Sequence, residues 1–289
     1  MLRAFGLRRF GGVKLGWLGL LVWAPLTWAS LWTELAENFS LEKAPPDVRM
    51  ITEQARWLRG NEVDTLARAR PWLAYIYAQT QAKDVPAELA LLPFVESAFD
   101  PKAISKADAR GMWQFIDSTG KAYGLAAESG CEPRYDVIRS TDAALSHLKD
   151  LRAQTGDWLL ALAAYNAGLN AVKTAQRYNL NRGLPTDFWH LSTLPKETQT
   201  YVPRLLALRD LLVEQLLIGE PVPVLPNQTL MFAVEIPPMT WAELGYRLNV
   251  STELLFRLNP CWKQGPTIST QVLVPRNPES ASLLQAWLW

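Results

Sequence analysis

The chain has 289 residues, enough for one large domain or two modest ones. Hydrophobic residues make up 49% and charged residues 20%, which supports a packed core and excludes a largely disordered chain. A formal net charge of +1 argues against nucleic acid as the main partner, because phosphate binding needs a clear basic excess.

In chain order, Arg3, Arg8, Arg9 and Lys14 lead into an uncharged apolar run over 15–32, with Thr27 and Ala29 as a small-x-small pair before Ser30. Basic, then apolar, then small is the order of a secretory signal. The run also approaches the roughly 20 apolar residues that span a bilayer. Residues 1–32 therefore read as an export signal that is removed or a membrane anchor that stays. The basic flank lies on the cytoplasmic side in both cases.

Residues 33–84 read as a helical N-terminal region. Apolar positions recur at helical spacing over 63–81, and again over 141–153, 158–167 and 201–217. Strand-like alternation is scarce before residue 218.

Pro86 suits the first turn of a helix. The stretch 87–99 that follows is apolar nearly all round after Glu88, the pattern of a buried helix. Pro93 within it predicts a kink or a freed carbonyl. Glu96 is the only charge between Glu88 and Asp100. A carboxylate in such surroundings loses hydration and its pKa rises. A Glu that stays protonated near neutral pH can protonate a glycosidic oxygen. The plainer alternative is a solvated carboxylate at a helix end, since Asp100–Pro101 stops the helix.

The segment 100–111 is small, polar and irregular, and Gly111 permits close approach or positive φ. Ser105 and Gln114 carry groups suited to sugar hydroxyls and acetamido groups, although each also reads as an ordinary loop residue.

Pro221, Pro223 and Pro226 mark 219–230 as a linker. Beyond it, a strand over 231–236, helices starting at Thr240 and Ser251, and a strand over 271–274 give a β-α-α-β order within 231–276. Thr240 with Glu243 fits a capping box. Residues 277–289 read as a tail. The 13 Trp either fill the core or offer flat platforms to sugar faces. With only two Cys and two His, no zinc site is legible. A bond between Cys131 and Cys261 requires an oxidising compartment, and whether they meet stays open.

Glu96–Ser97–Ala98–Phe99–Asp100–Pro101, Ser105 and Gly111–Met112–Trp113–Gln114–Phe115 stand in an order shared with Ala164–Tyr165–Asn166–Ala167–Gly168 and with Glu197–Thr198 followed by Tyr201–Val202. Together these blocks resemble the lytic transglycosylases, soluble-lytic-type enzymes with a goose-lysozyme-like fold. Ala69–Arg70–Pro71, the run from Leu89 to Pro93 and the run from Pro185 to Trp189 extend the resemblance to a membrane-bound branch of that family, over residues 30–275.

The resemblance implies a mainly α chain, with a lysozyme-like catalytic domain over 85–218 and then a small α+β module that is LysM-like. The module has Pro237–Pro238–Met239 where a Gly-Asp is usual, so glycan binding and packing both stay open for it. The resemblance also implies peptidoglycan glycan strands as the partner, in the periplasm or cell envelope, with the inner membrane contacted where the N-terminal segment is retained. No cofactor or metal is expected.

Glu96 matches the catalytic acid. Ser105, Gln114, Tyr165, Asn166 and Tyr201 match positions that shape the muramic and glucosamine subsites or orient the Glu. The family's reaction splits the β-1,4 bond with the substrate's own C6 hydroxyl as nucleophile, so one carboxylate suffices. Asp100, Asp108, Asp117 and Asp136 are nominal second carboxylates with no assigned role. Asp117 stands where many relatives carry Pro. The alternatives are a hydrolytic muramidase on the same fold and a non-catalytic peptidoglycan-binding or assembly protein.

Overall fold

The computed structural model describes residues 31–43, 67–128, 130–218, 225 and 228–288. Almost all of the segment read as an export signal or anchor, and most of the Pro-rich stretch 219–230, lie outside the described residues. No helix among the described residues is long and apolar enough to cross a membrane.

The chain is mainly α-helical. Helices α1 (Leu31–Glu37) and α2 (Leu73–Ala82) precede a 3-10 turn (Ala87–Leu91) and the short α3 (Leu92–Glu96). Next come α4 (Asp117–Ala122), α5 (Val137–Thr155), α6 (Trp158–Ala167), α7 (Leu169–Leu180) and the long α8 (Lys196–Ile218).

The centre is α6, whose residues Leu159, Leu160, Ala161, Leu162, Ala163 and Ala164 are all buried. A helix apolar on every side must be surrounded, and α5, α7 and α8 all pack on it. Its limits are written locally. The Asp157 carboxylate accepts the Leu160 N–H at 2.8 Å, and Gly168 ends the helix at φ 84°.

The sequence predicts one helix over 87–99, but the chain makes two pieces. Pro93 has no N–H and would clash with the carbonyl of Leu89 in a continuous helix. The first piece is therefore a tight 3-10 turn, and Pro93 falls in the opening turn of α3, where its missing donor costs nothing. Beneath this joint, fully buried Glu88 accepts the N–H groups of Ser40 (3.1 Å) and Leu41 (2.8 Å). Arg209 of α8 donates to the Leu41 carbonyl at 3.2 Å.

After residue 230 come β1 (Met231–Ile236), α9 (Trp241–Leu248), α10 (Thr252–Leu258) and β2 (Thr270–Pro275). The strands pair antiparallel, from Met231 opposite Pro275 to Ile236 opposite Thr270. Thr240 and Ser251 cap the two helices by accepting the Glu243 and Leu254 N–H groups. Within the stretch 277–289, read as a tail, Pro278–Leu288 instead form helix α11. The Asn277 side chain accepts the Ser280 N–H at 2.7 Å and Pro278 follows it, an N-cap with proline in the first turn.

This module is continuous with the helical core. Met231, Leu254, Leu258, Leu273 and Leu284 join the main cluster. A second cluster gathers Trp241, Trp262, Leu255, Val272 and Val274 around Cys131 and Cys261. The two cysteines form a disulfide across 130 residues of sequence.

A cross-link over so long a loop restricts the unfolded chain strongly, by roughly 2–5 kcal/mol. Cys131→Ser with Cys261→Ser should therefore lower the unfolding free energy in urea by that amount, with a lower midpoint and a steeper slope as the freed unfolded chain expands. An unchanged midpoint in oxidised protein would show that the bond contributes nothing.

Candidate active site

The site begins where α3 stops. Beyond Glu96, Ala98 and Phe99 take left-handed φ values of 52° and 60°, and the Ser97 hydroxyl donates to the Met112 carbonyl at 2.8 Å. The Phe94 and Phe99 rings meet edge-on at 4.6 Å. The reversal fixes the end of the helix, and Glu96 with it, at the base of a cleft.

One wall of the cleft is the loop from Asp100 to Phe115, tied by bridges between Ile104 and Arg110 and between Arg110 and Phe115. Gly111 is required there. Its φ is 81° and any Cβ would fall onto the Arg134 carbonyl. Arg134 is buried beneath the loop and donates to the carbonyls of Asp108 (3.2 Å) and Phe115 (3.2 Å). Glu132 grips the same guanidinium through Nε (2.8 Å) and Nη2 (2.8 Å), a planar two-point match. Trp113 ties the loop to α5 through Thr141 at 3.0 Å.

The opposite wall comes from α6 and α8. The Tyr165 hydroxyl donates to the Trp113 carbonyl at 2.8 Å. The Asn166 side-chain oxygen accepts the Thr198 hydroxyl at 2.7 Å. Tyr201, one turn after Glu197 on α8, donates a short hydrogen bond to Oε1 of Glu96.

The cleft holds about 670 Å³, and Glu96, Ser105, Gln114, Tyr165, Asn166 and Tyr201 all line it. The loop itself uses part of their capacity. Ser105 Oγ accepts the Ala107 and Ala109 N–H groups at 3.2 and 3.1 Å, which leaves its own proton unused by those bonds. Gln114 Nε2 donates to Gly111 O at 2.8 Å, which leaves its carbonyl oxygen for a ligand.

Loss of water raises the Glu96 carboxyl from 4.5 to about 7; the Tyr201 bond pulls it down and the Glu197 charge pushes it up. Burial and the Glu96 charge hold the Tyr165 and Tyr201 phenols well above their usual range, so both stay neutral donors.

Glu197, His147, Gln154, Thr119 and Arg204 also line the cleft, and sequence reasoning gave none of them a role. For Glu197 a signal existed: it lies four residues before Tyr201, on the same helical face. Burial lowers the His147 pKa and keeps the ring neutral, and it packs between Tyr123 at 4.7 Å and Tyr165 at 5.4 Å. Among the described residues, neither the four nominal second carboxylates nor any Trp lines this cleft. Asp100 instead accepts the Lys102 N–H at 2.8 Å, Asp117 pairs with Lys121 at 2.7 Å and Asp136 caps α5. Trp32, Trp72, Trp113, Trp241 and Trp262 are fully buried, as core residues.

The family model described as "Transglycosylase SLT domain" matches residues 74–185. The chain is 37% identical over 254 residues to membrane-bound lytic murein transglycosylase D of Escherichia coli (strain K12), an alignment that covers 85% of this chain and 56% of the relative. Residues 74–185 thus carry the SLT domain, and the chain is similar over most of its length to a lytic murein transglycosylase.

It spans 56% of the length of that curated relative. A protein of Alteromonas sp. (strain M-1) named for tributyltin chloride resistance is 35% identical over 136 residues, covering 47% of this chain and 63% of that protein. A solved structure of an inactive mutant of lytic transglycosylase Slt from Pseudomonas aeruginosa aligns with 67% of this chain and 33% of that chain, at 21% identity and a TM-score of 0.40. Relative to the SLT match, the acid Glu96 lies inside and its partner Tyr201 lies past the end.

The Glu96 environment has two consequences, one for titration and one for stability. Tyr201→Phe removes the hydrogen bond that favours the Glu96 carboxylate, so the Glu96 titration should move above about 7, read by carboxyl carbon NMR. A downward move would contradict the geometry. Because the folded value lies above 4.5, ionising Glu96 costs stability progressively from pH 4.5 to 7 and in full above that. Glu96→Gln should therefore raise stability by about 2 kcal/mol at pH 8 and change it little at pH 4.

Proposed function

We propose that the chain cleaves the β-1,4 bond between N-acetylmuramic acid and N-acetylglucosamine in peptidoglycan and leaves 1,6-anhydromuramic ends. The observation that carries this reading is Glu96, raised to about 7 at the base of the cleft by loss of water and oriented by the hydroxyl of Tyr201. Near neutral pH such a carboxyl exists in both protonation states, as a group needs when it gives a proton and then takes one.

Protonated Glu96 gives its proton to the glycosidic oxygen as the bond from that oxygen to the anomeric carbon breaks. The resulting carboxylate then accepts the proton of the muramoyl C6 hydroxyl as that oxygen bonds to the anomeric carbon. Protons balance over the two steps and no water enters. Ser105, Gln114, Tyr165 and Asn166 bind and orient the two sugars, and Tyr201 positions Glu96.

The E. coli relative is named membrane-bound and murein-directed. This supports work in the cell envelope, with residues 1–32 as export signal or anchor. The 231–276 segment is read as an accessory module that is LysM-like.

The decisive measurement is mass spectrometry of products released from purified sacculi. Wild type should release anhydro-muropeptides, and Glu96→Gln should lose about 10²- to 10⁴-fold in rate. Equal release by both proteins would remove Glu96 from the mechanism.

One observation favours a second reading. Glu197 is an exposed carboxylate in the same cleft, and a base able to activate water would give hydrolysis. In that case reducing ends replace anhydro ends, and Glu197→Gln abolishes turnover. On the transglycosylase reading Glu197→Gln keeps turnover and its anhydro products, with the alkaline limb of the rate profile moved to lower pH.

A further inference from the structure

A second depression adjoins the cleft in sequence along α7. The cleft's lining includes Gly168 and Leu169, where α7 begins. From Asn170 onward the second depression, of about 500 Å³, runs along the outer face of the helix, lined by Asn170, Lys173, Gln176, Arg177, Leu180 and Thr186. Asn170, Lys173, Arg177 and Leu180 fall at helical spacing on one face.

Two cations lie in this depression, and among the described residues no carboxylate lines it. Lys173 and Arg177 are exposed, and among the described residues neither has an acidic partner; Arg177 reaches only the Thr174 hydroxyl at 3.3 Å. Arg110 and Arg139 differ, since each holds a carboxylate. The floor is set by Gln176, which donates to the Thr186 carbonyl at 3.2 Å. Leu180, 68% exposed, closes the far end with apolar surface.

We propose that this face of α7 is a subsite for the short acidic peptide carried by muramic acid, with Lys173 and Arg177 taking its carboxylates. The assignment rests on the peptidoglycan reading above and names which form of that substrate binds best. Length supports it. Arg177 lies about 14 Å beyond Gly168 along the helix axis at 1.5 Å per residue, and an extended tetrapeptide spans about 13–14 Å. Lys173 lies about 8 Å along the same path, so the two cations meet carboxylates at different points of the peptide. Leu180, about 18 Å from Gly168 on the same count, lies past the end of such a peptide and closes the depression.

The test uses the full chain carrying Glu96→Gln, so that bound strands stay intact. Its affinity is measured for soluble glycan strands bearing their peptides and for the same strands stripped of peptide by an amidase. Peptide-bearing strands should bind about 10-fold more tightly at low salt, and the advantage should shrink as salt rises. Adding Lys173→Met with Arg177→Met should abolish the advantage and leave affinity for stripped strands unchanged, with an unaltered melting temperature. Equal affinity of the parent chain for both strands would overturn the assignment, as would equal weakening on both in the double variant. Cleavage by wild type is followed in parallel. Failure to cut either strand would sink the transglycosylase reading, while the binding comparison still decides the subsite.

Discussion

A carboxylate withdrawn from water is costly unless a neighbour stabilises it or it keeps its proton. The architecture is arranged around that condition at Glu96. The acid ends a five-residue helix, and its stabilising hydroxyl comes from Tyr201, 105 residues later on the long helix α8. For the two to meet, α3 and α8 must pack directly on each other, and α8 is held in place by α6, whose apolar side chains are buried on every face. The Tyr201 bond and the loss of water oppose each other, and their difference leaves the group near neutral pH. Packing of the whole helical assembly thus sets a local chemical property.

The other wall shows a different strategy. Between residues 98 and 114 four non-glycine residues, Ala98, Phe99, Asp108 and Gln114, hold positive φ. Each costs on the order of 1 kcal/mol and persists only where surrounding contacts determine it. Those contacts are identifiable. Arg134, clamped by Glu132, holds two carbonyls of the loop; Trp113 is tied to α5, and Ser97 and Tyr165 hold the carbonyls of Met112 and Trp113. The strain aims Gln114 and Ser105 into the cleft.

What the sequence disclosed follows from how local each determinant is. Helix α6, the strand over 231–236 and the caps at Thr240 and Ser251 depend on neighbours within four residues, and each was legible. The exceptional position of Glu96 was legible because its neighbours are apolar. The break at Pro93 was half legible: the proline was seen, but a restarted helix satisfies it as well as a kinked one. Asn277–Pro278 carried a start signal that the reading as a tail passed over. Long-range partners were not legible from local pattern. Nothing near Glu96 points to Tyr201, and Arg134 acts on backbone carbonyls, which have no side-chain signature. Glu132 likewise carries no local signal, yet it supplies the clamp beneath the cleft.

The disulfide gives the molecule a property that its helices and strands do not. Cys131 lies one residue before the clamp that braces the cleft, and Cys261 lies in the β-α-α-β module. Everything between them, including α5 to α8 and the Pro-rich stretch, is therefore one covalent ring. A single peptide-bond cut anywhere in that ring opens it without releasing either piece. The module stays attached beside Glu132 until a reductant also acts. In a compartment exposed to proteases, one nick leaves the cleft and its brace in one molecule.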